Sequence, residues 1–345
     1  MRKTVFSSAL AAVILFTSCG KFGNSNSADD VKNSKSIFAM DTYITVTSYG
    51  EDTDKALQAA EDKITSLEKL WSVTDETSEI YAINHSGGQS VKVSPETADL
   101  LYFALDMNKR TNGAFDISLY PVLTAWGFTT DEYRVPGDKE IADLLESAGV
   151  EKISLNNQTV QIPTDMQIDL GAIGKGYAGD LIAKELRSNG VKSALIDLGG
   201  NIQTVGTKPD KEKWKVGIRS PFGEGNFATL EIGECAIVTS GGYERYFVED
   251  GVTYWHILDP KTGKPADSGI ASVSVIGSEG RTCDALSTSL FVLGLDKATE
   301  LWRESDDFEM IIVTSDGEIY ITEGIEDDFE LSNNFADPKV SVIYR

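Results

Sequence analysis

Apolar residues recur at helical spacing in five stretches of the chain. Over residues 53–71 the apolar positions Ala56, Leu57, Ala60, Ile64, Leu67, Leu70 and Trp71 make one face of an amphipathic helix. Ser94-Pro95 opens a second helix running to about Arg110, since serine caps and proline suits the first helical turn. A third is expected from about Asp138 to Ser147, stopped at Gly149, a fourth from Gly174 to Gly190, and a fifth over 282–293. Between them the pattern changes to alternation. Residues 43–49 alternate as a strand, 153–162 read as a hairpin turning at Asn156-Asn157, 194–196 form an apolar strand, and 214–276 are strand-rich. The tail returns to strands at 310–314 and 319–322. There is no βαβ rhythm and no internal repeat. The expected class is α+β, with mixed, largely antiparallel sheets and packed helices, and not a doubly wound parallel sheet.

The first residues follow a different pattern. Arg2 and Lys3 precede an apolar run from Val5 to Phe16, too short to cross a bilayer and laid out like an export signal. The run ends in Phe16-Thr17-Ser18-Cys19-Gly20, which resembles a bacterial lipobox with Phe16 where leucine is usual. This predicts a signal peptide at 1–18 and a lipid on the Cys19 thiol. An ordinary secretory signal with an incidental cysteine is the plainer alternative. Several acyl chains hold a protein on a membrane where one does not. Residues 19–36, rich in Ser, Asn, Asp and Lys, read as lipidated cysteine and flexible tether, with 37–345 as the folded body.

Charge narrows the partners. Against 31 Lys and Arg stand 54 Asp and Glu, a net charge of -23, which argues against nucleic acid and against an electrostatic hold on anionic lipid. A phosphate-bearing ligand would need a locally positive site or a cation. With three cysteines and two histidines, neither at zinc spacing, transition-metal sites are largely excluded. Cys235 and Cys283 make no disulfide framework in a body this large, and Cys235, in the run Cys235-Ala236-Ile237-Val238, reads as a small buried side chain.

Three motifs carry chemistry. Asp169-Leu170-Gly171-Ala172-Ile173-Gly174-Lys175-Gly176-Tyr177 brings glycines and a lysine to the start of a helix, where backbone N–H groups and the helix dipole favour an anion. It lacks the Ser or Thr that follows Gly-Lys in a P-loop, and its glycine order reverses the dinucleotide fingerprint. Read alone, it fits a tight strand-to-helix turn as well as a phosphate cradle. Asp284, Ser287 and Thr288 share one face of the fifth helix, three and four residues apart. Such hard, sparsely charged oxygens suit Mg²⁺, which shares its shell with water and substrate phosphate; helix capping by Asp284 beside surface hydroxyls is the alternative. His256 ends a strand before the turn Asp259-Pro260-Lys261-Thr262-Gly263, and is either structural or a proton-transfer group. His85, in a Ser-Gly-Gly loop, is assigned no role.

Other short strings complete a pattern. They are Met40-Asp41-Thr42, Ser78-Glu79 with Asn84, Gly113-Ala114-Phe115-Asp116, Gly199-Gly200-Asn201 and Ser240-Gly241-Gly242-Tyr243-Glu244-Arg245. Together with Asp169 to Tyr177, His256 to Pro260 and Asp284 to Thr288, these eight stand in the order that marks the ApbE family of FAD:protein FMN transferases, which the chain resembles from residue 37 to its C-terminus. The resemblance implies a two-lobed, ApbE-like (T-fold-like) architecture. It implies FAD contacts at Met40, Thr74, Ala114, Phe115, Asp116, Asp169, Lys175 and Leu258, and a Mg²⁺ held by the Ala172 carbonyl with Asp284, Ser287 and Thr288. Asp41 stands where the family carries glycine, Thr74 where an aromatic often stacks on the flavin, and Ser287 where aspartate is frequent.

The resemblance also implies a reaction. It is Mg²⁺-dependent transfer of FMN from FAD onto a Thr or Ser hydroxyl of an exported or membrane protein, in an Asp-x-x-Ser-Gly-Ala-Thr context, with release of AMP. That acceptor pattern is absent from this chain, so self-flavinylation is not expected. Cleaving a diphosphate requires its oxygens to be neutralised, which a metal does as Lewis acid and template. A hydroxyl nucleophile benefits from a general base, and His256 is nominated because histidine ordinarily titrates near working pH. The same donor site would serve Mg²⁺-dependent hydrolysis of FAD to FMN and AMP, or a lipoprotein that only binds FAD. The expected location is exported, lipid-anchored to a membrane and facing the periplasm or cell exterior.

Overall fold

The computed structural model describes residues 31–332 and 338–345, with the backbone of Val5–Ser7. The rest of the signal segment, Cys19 and the first part of the tether lie outside the described residues.

Nine strands form the central sheet: Lys32–Ala39, Thr42–Tyr49, Ser193–Leu198, Asn201–Val205, Ala236–Gly241, Ile270–Gly277, Phe308–Thr314, Ile319–Thr322 and Val340–Ile343. Their order across the sheet is their order along the chain, and every neighbouring pair is antiparallel except the last. Six helices fill the connection between the second and third strands: α1 (Asp54–Trp71), α2 (Glu79–Asn84), α3 (Pro95–Arg110), α4 (Tyr120–Trp126), α5 (Asp138–Leu145) and α6 (Gly174–Ser188). The seventh, α7 (Gly280–Arg303), joins the sixth and seventh strands.

Period-two alternation explains the layers. Ala194, Ile196, Leu198, Val273, Val275, Met310 and Ile312 turn to one face and share a core with α1, α3, α6 and α7. Leu195, Ile202, Ile237, Ile276, Ile311 and Val313 turn to the other. There they meet a three-stranded sheet of Trp214–Arg219, Asn226–Ile232 and Phe329–Leu331. A third cluster joins α4 and α5 to Phe247 and Leu258. The class is α+β with largely antiparallel sheets, as the irregular rhythm of elements implied.

Local differences from the sequence reading have physical causes. Residues 32–36, read as tether, pair with Thr45–Tyr49 as the first five residues of an eight-residue edge strand whose Lys32, Ser34 and Ser36 face solvent. Polar residues are what keep an edge strand from recruiting another chain, so the strand has a tether's composition. Helices α2 and α4 have only 6 and 7 residues, too few to show a period. Helix α7 runs on past residue 293 after a break at Gly294, whose φ is 81°.

Two hairpin turns meet at one end of the sheet. Met40 and Asp41 both hold positive φ, 52° and 57°, as do Gly199 and Gly200 at 68° and 103°. These are the backbone angles of tight two-residue hairpins, and a non-glycine pair there is strained. The pairing Ile44↔Leu198 sets the turns side by side, and a side chain on Gly199 would lie 2.0 Å from Thr42 Oγ1. Only glycine fits.

Candidate active site

Helix α6 begins beside these turns. The Gly174 N–H donates to the Leu170 carbonyl at 2.7 Å, and no side chain at Ile173 caps the helix. Its partner comes from α7 instead: Asp284 Oδ2 accepts the Gly176 N–H at 2.7 Å. A carboxylate thus sits at the positive end of a helix, where the dipole favours negative charge.

Lys175, between the two glycines, is close enough to Asp169, Glu244, His256 and Asp284 to shift the ionisation of all four. Burial pushes the Asp284 carboxyl up, and Lys175 and the Gly176 N–H counter it. Asp169 is likewise raised by burial and lowered by the Gly171 N–H, Arg245 and Lys175. Glu244 keeps an exposed side chain beside Lys175. Loss of hydration there raises its carboxyl to about 7 against the pull of Lys175 and Arg219. Burial, then Arg245 and Lys175, push His256 down to about 4. His256 Nδ1 lies 3.2 Å from the Arg245 carbonyl. A carbonyl only accepts, so this contact puts the ring proton on Nδ1 and leaves Nε2 as the accepting nitrogen.

The remaining expected FAD residues surround this cluster to different degrees. Met40 is half-buried, donating its N–H to Glu68 Oε1 at 2.9 Å. Thr74 is exposed on the loop after α1, and Trp71 carries that loop to the foot of α6 by stacking on Tyr177 with ring centres 5.8 Å apart. Ala114 and Phe115 are buried, and Asp116 accepts the Ser118 N–H at 2.7 Å. This segment is tied to the cluster where the Asp169 N–H donates to the Ile117 carbonyl at 2.8 Å. Leu258 points its side chain into the third hydrophobic cluster, with Trp126 and Phe128.

Comparison with known proteins decides the family. The ApbE family profile matches residues 40–312. The chain belongs to the ApbE family. An ApbE relative in Treponema pallidum, named FAD:protein FMN transferase, is 33% identical over 317 residues, covering 85% of this chain and 88% of that one. One of the same name in Klebsiella pneumoniae is 33% identical over 265 residues, covering 75% and 82%. The crystal structure of the ApbE protein of Thermotoga maritima superposes with a TM-score of 0.82 at 32% identity, over 86% of this chain and 99% of that one. The apo Pseudomonas stutzeri flavinyl transferase ApbE gives 0.78 at 27%, over 87% and 97%.

In this ApbE chain the expected cation residues are gathered unequally. Asp284 and Thr288 lie one turn apart on α7, and the Ala172 carbonyl belongs to the turn that leads into α6. Ser287 is fully buried. Its hydroxyl donates to the Asp284 carbonyl at 2.9 Å and shares a 2.8 Å bond with Ser240 Oγ, which also lies 3.3 Å from Thr288 Oγ1. Among the described residues no three His, Cys, Asp or Glu side chains converge on a metal site; a single carboxylate with neutral oxygens is what is present. The Asn201 amide lies beside Asp284, near enough to favour its ionised form, yet among the described residues no acceptor lies within hydrogen-bond distance of its buried Nδ2. A phosphate oxygen or a cation-bound water would supply the missing acceptor, so these residues fit a Mg²⁺–diphosphate ligand.

Glu244, Arg245, Arg219 and Asn201 were not singled out from sequence as site residues. Three of them stand inside the family strings, but only the fold brings the Glu244 charge close to Lys175 and Asp284 and the neutral Asn201 amide beside Asp284. Arg219 sits on an alternating strand and places its guanidinium 5.3 Å over the Tyr243 ring; nothing in its neighbours signals that. Among the described residues Cys235 and Cys283 are both free thiols; Cys235, read from sequence as buried, is half-buried, and loss of hydration raises its thiol to about 12.

Proposed function

We propose that this ApbE-family chain is a Mg²⁺-dependent FAD:protein FMN transferase, joining FMN to a Thr or Ser hydroxyl of an exported or membrane protein and releasing AMP. The observation that carries the reading is the convergence of Lys175, Asp169, His256 and Asp284 on one cleft at the start of α6. The cleft holds three cations, Lys175, Arg219 and Arg245, against the carboxylates of Asp169, Glu244 and Asp284. A bare diphosphate is poorly served by that balance, and one carrying Mg²⁺ is well served.

Lys175 and the amino end of α6 hold the diphosphate. Asp284, Thr288 and the Ala172 carbonyl would hold Mg²⁺, with Ser287 steadying the turn through Ser240. When bound, the ion neutralises the diphosphate oxygens as a Lewis acid. His256, uncharged at neutral pH, takes the acceptor hydroxyl proton at Nε2. The hydroxyl oxygen forms a bond to the FMN phosphorus as the bond to the AMP oxygen breaks, and AMP leaves. Met40, Thr74, Ala114, Phe115, Asp116 and Leu258 would contribute the FAD-binding surface. Export behind a signal at 1–18 and lipid on Cys19 would place this cleft outside the cytoplasm, beside an acceptor carrying Asp-x-x-Ser-Gly-Ala-Thr.

The test incubates residues 31–345 with FAD, Mg²⁺ and such an acceptor domain. The acceptor gains the mass of FMN, and its Thr→Ala version does not. An acceptor of unchanged mass beside accumulating free FMN would replace transfer with hydrolysis.

A further inference from the structure

The start of α7 is held by a residue of α6. Asp180 Oδ1 accepts the Gly280 N–H at 2.7 Å and the Gln203 Nε2–H at 2.8 Å, and Oδ2 accepts the Arg281 N–H at 2.9 Å. Glu279, in the capping position of α7, makes no capping bond of its own. The contact is reciprocated, since Asp284 of α7 accepts the Gly176 N–H of α6 at 2.7 Å. The spacing is the same on both helices: each offers a glycine amide and, four residues on, a carboxylate to the other. Amino ends of helices carry unpaired N–H groups, and charged acceptors bind them about twice as strongly as neutral ones.

We infer that Asp180 is a positioning residue for the cation carboxylate: by holding the first amides of α7 it fixes the height and rotation at which Asp284, one turn later, faces the cleft. Asp180 touches neither substrate nor ion and acts through the helix. The inference rests on reading Asp284 as a Mg²⁺ ligand and adds a residue outside that set. A ligand's supporting partner is worth about 10–100-fold in metal affinity or activity. The lock also joins the helix end that meets the diphosphate to the helix that bears the carboxylate, so disturbing it weakens Mg²⁺ binding more than flavin binding.

Asp180→Asn keeps the side chain's shape but sets an NH₂ against a backbone N–H. FAD binding is followed by flavin fluorescence, with and without Mg²⁺, and amide exchange is followed in the ligand-free protein. In Asp180→Asn the Mg²⁺ concentration for half-maximal tightening of FAD rises about 10–100-fold. FAD affinity without Mg²⁺ is unchanged, and the Gly280 and Arg281 amides exchange faster. Asp180→Ser, which retains one short acceptor, falls between. A Mg²⁺ requirement equal to wild type overturns the inference, as does an equal loss of FAD affinity with and without Mg²⁺, the mark of general unfolding. Wild-type binding indifferent to Mg²⁺ would instead remove the cation reading beneath it.

Discussion

Gly176 and Gly280 face each other across the crossing of α6 and α7 with no room for a side chain on either. A methyl at Gly176 would lie 2.2 Å from the Gly280 carbonyl oxygen and 2.6 Å from Asp284 Cβ, and one at Gly280 would lie 2.4 Å from the Gly176 oxygen. The last glycine of Gly-Lys-Gly is thus required by packing, whatever it also offers a phosphate. Gly176→Ala should cost about 1–3 kcal/mol in urea unfolding through overpacking. Gly174→Ala, whose methyl would meet only the Trp71 ring at 3.7 Å, should stay within about 0.5 kcal/mol of wild type. Equal losses would contradict the crossing drawn here.

The cation reading is tested by removing its single carboxylate. Asp284→Ala should abolish turnover while part of the FAD affinity survives, because the flavin surface proposed at Met40, Phe115 and Thr74 does not depend on it. Chelation of wild type should have the same effect, and added Mg²⁺ should rescue wild type alone. A chelator without effect, or full transfer by Asp284→Ala, removes the site.

Two groups could take the acceptor's proton, and pH separates them. His256 stands at about 4 and Glu244 at about 7. With His256 as base, kcat/KM is level through neutral pH and falls only in acid, and His256→Ala slows transfer by about 10²–10⁴-fold. An acid limb centred near 7 that disappears in Glu244→Gln would reassign the base.

Stability follows the same shifts with opposite signs. His256 binds its proton more weakly folded than unfolded, so its contribution is present above the ordinary 6.5 and lost as pH falls toward 4. Glu244 holds its proton more tightly folded, so its contribution is present below the ordinary 4.5 and lost as pH rises through 7. In the ligand-free protein Glu244→Gln should therefore melt higher than wild type above pH 7, with the gain vanishing below pH 4.5. A gain independent of pH would contradict the account of Glu244 as a carboxyl held protonated by lost hydration.

The long connections and the helices on them were legible because their burial is periodic. Ala56 to Trp71 falls on one buried face, Ser94 Oγ does accept the Thr97 N–H at 3.3 Å, and Asn157 does turn its hairpin at a φ of 52°. The edge strand was not legible, because its exposed alternate residues remove the apolar signal. The reciprocal hold of Asp180 and Asp284 was not legible either, since neither carboxylate serves its own helix.

That edge strand has a measurable consequence. Asn33 Nδ2 donates to Thr53 Oγ1 at 2.8 Å and the Gly50 carbonyl at 3.2 Å, and Lys35 pairs with Glu61. A chain beginning at Ser36 should be less stable than one beginning at Val31 by about 1 kcal/mol for each lost hydrogen bond. Identical melting would show that the strand contributes nothing.

Transfer itself is tested most directly by stoichiometry. Residues 31–345 are mixed with FAD, Mg²⁺ and an acceptor domain, and AMP and flavinylated acceptor are counted in the same sample. The account predicts one AMP for each FMN found on the acceptor, no free FMN, and neither product with Asp284→Ala. AMP accompanied by an equal amount of free FMN and an unmodified acceptor would contradict it.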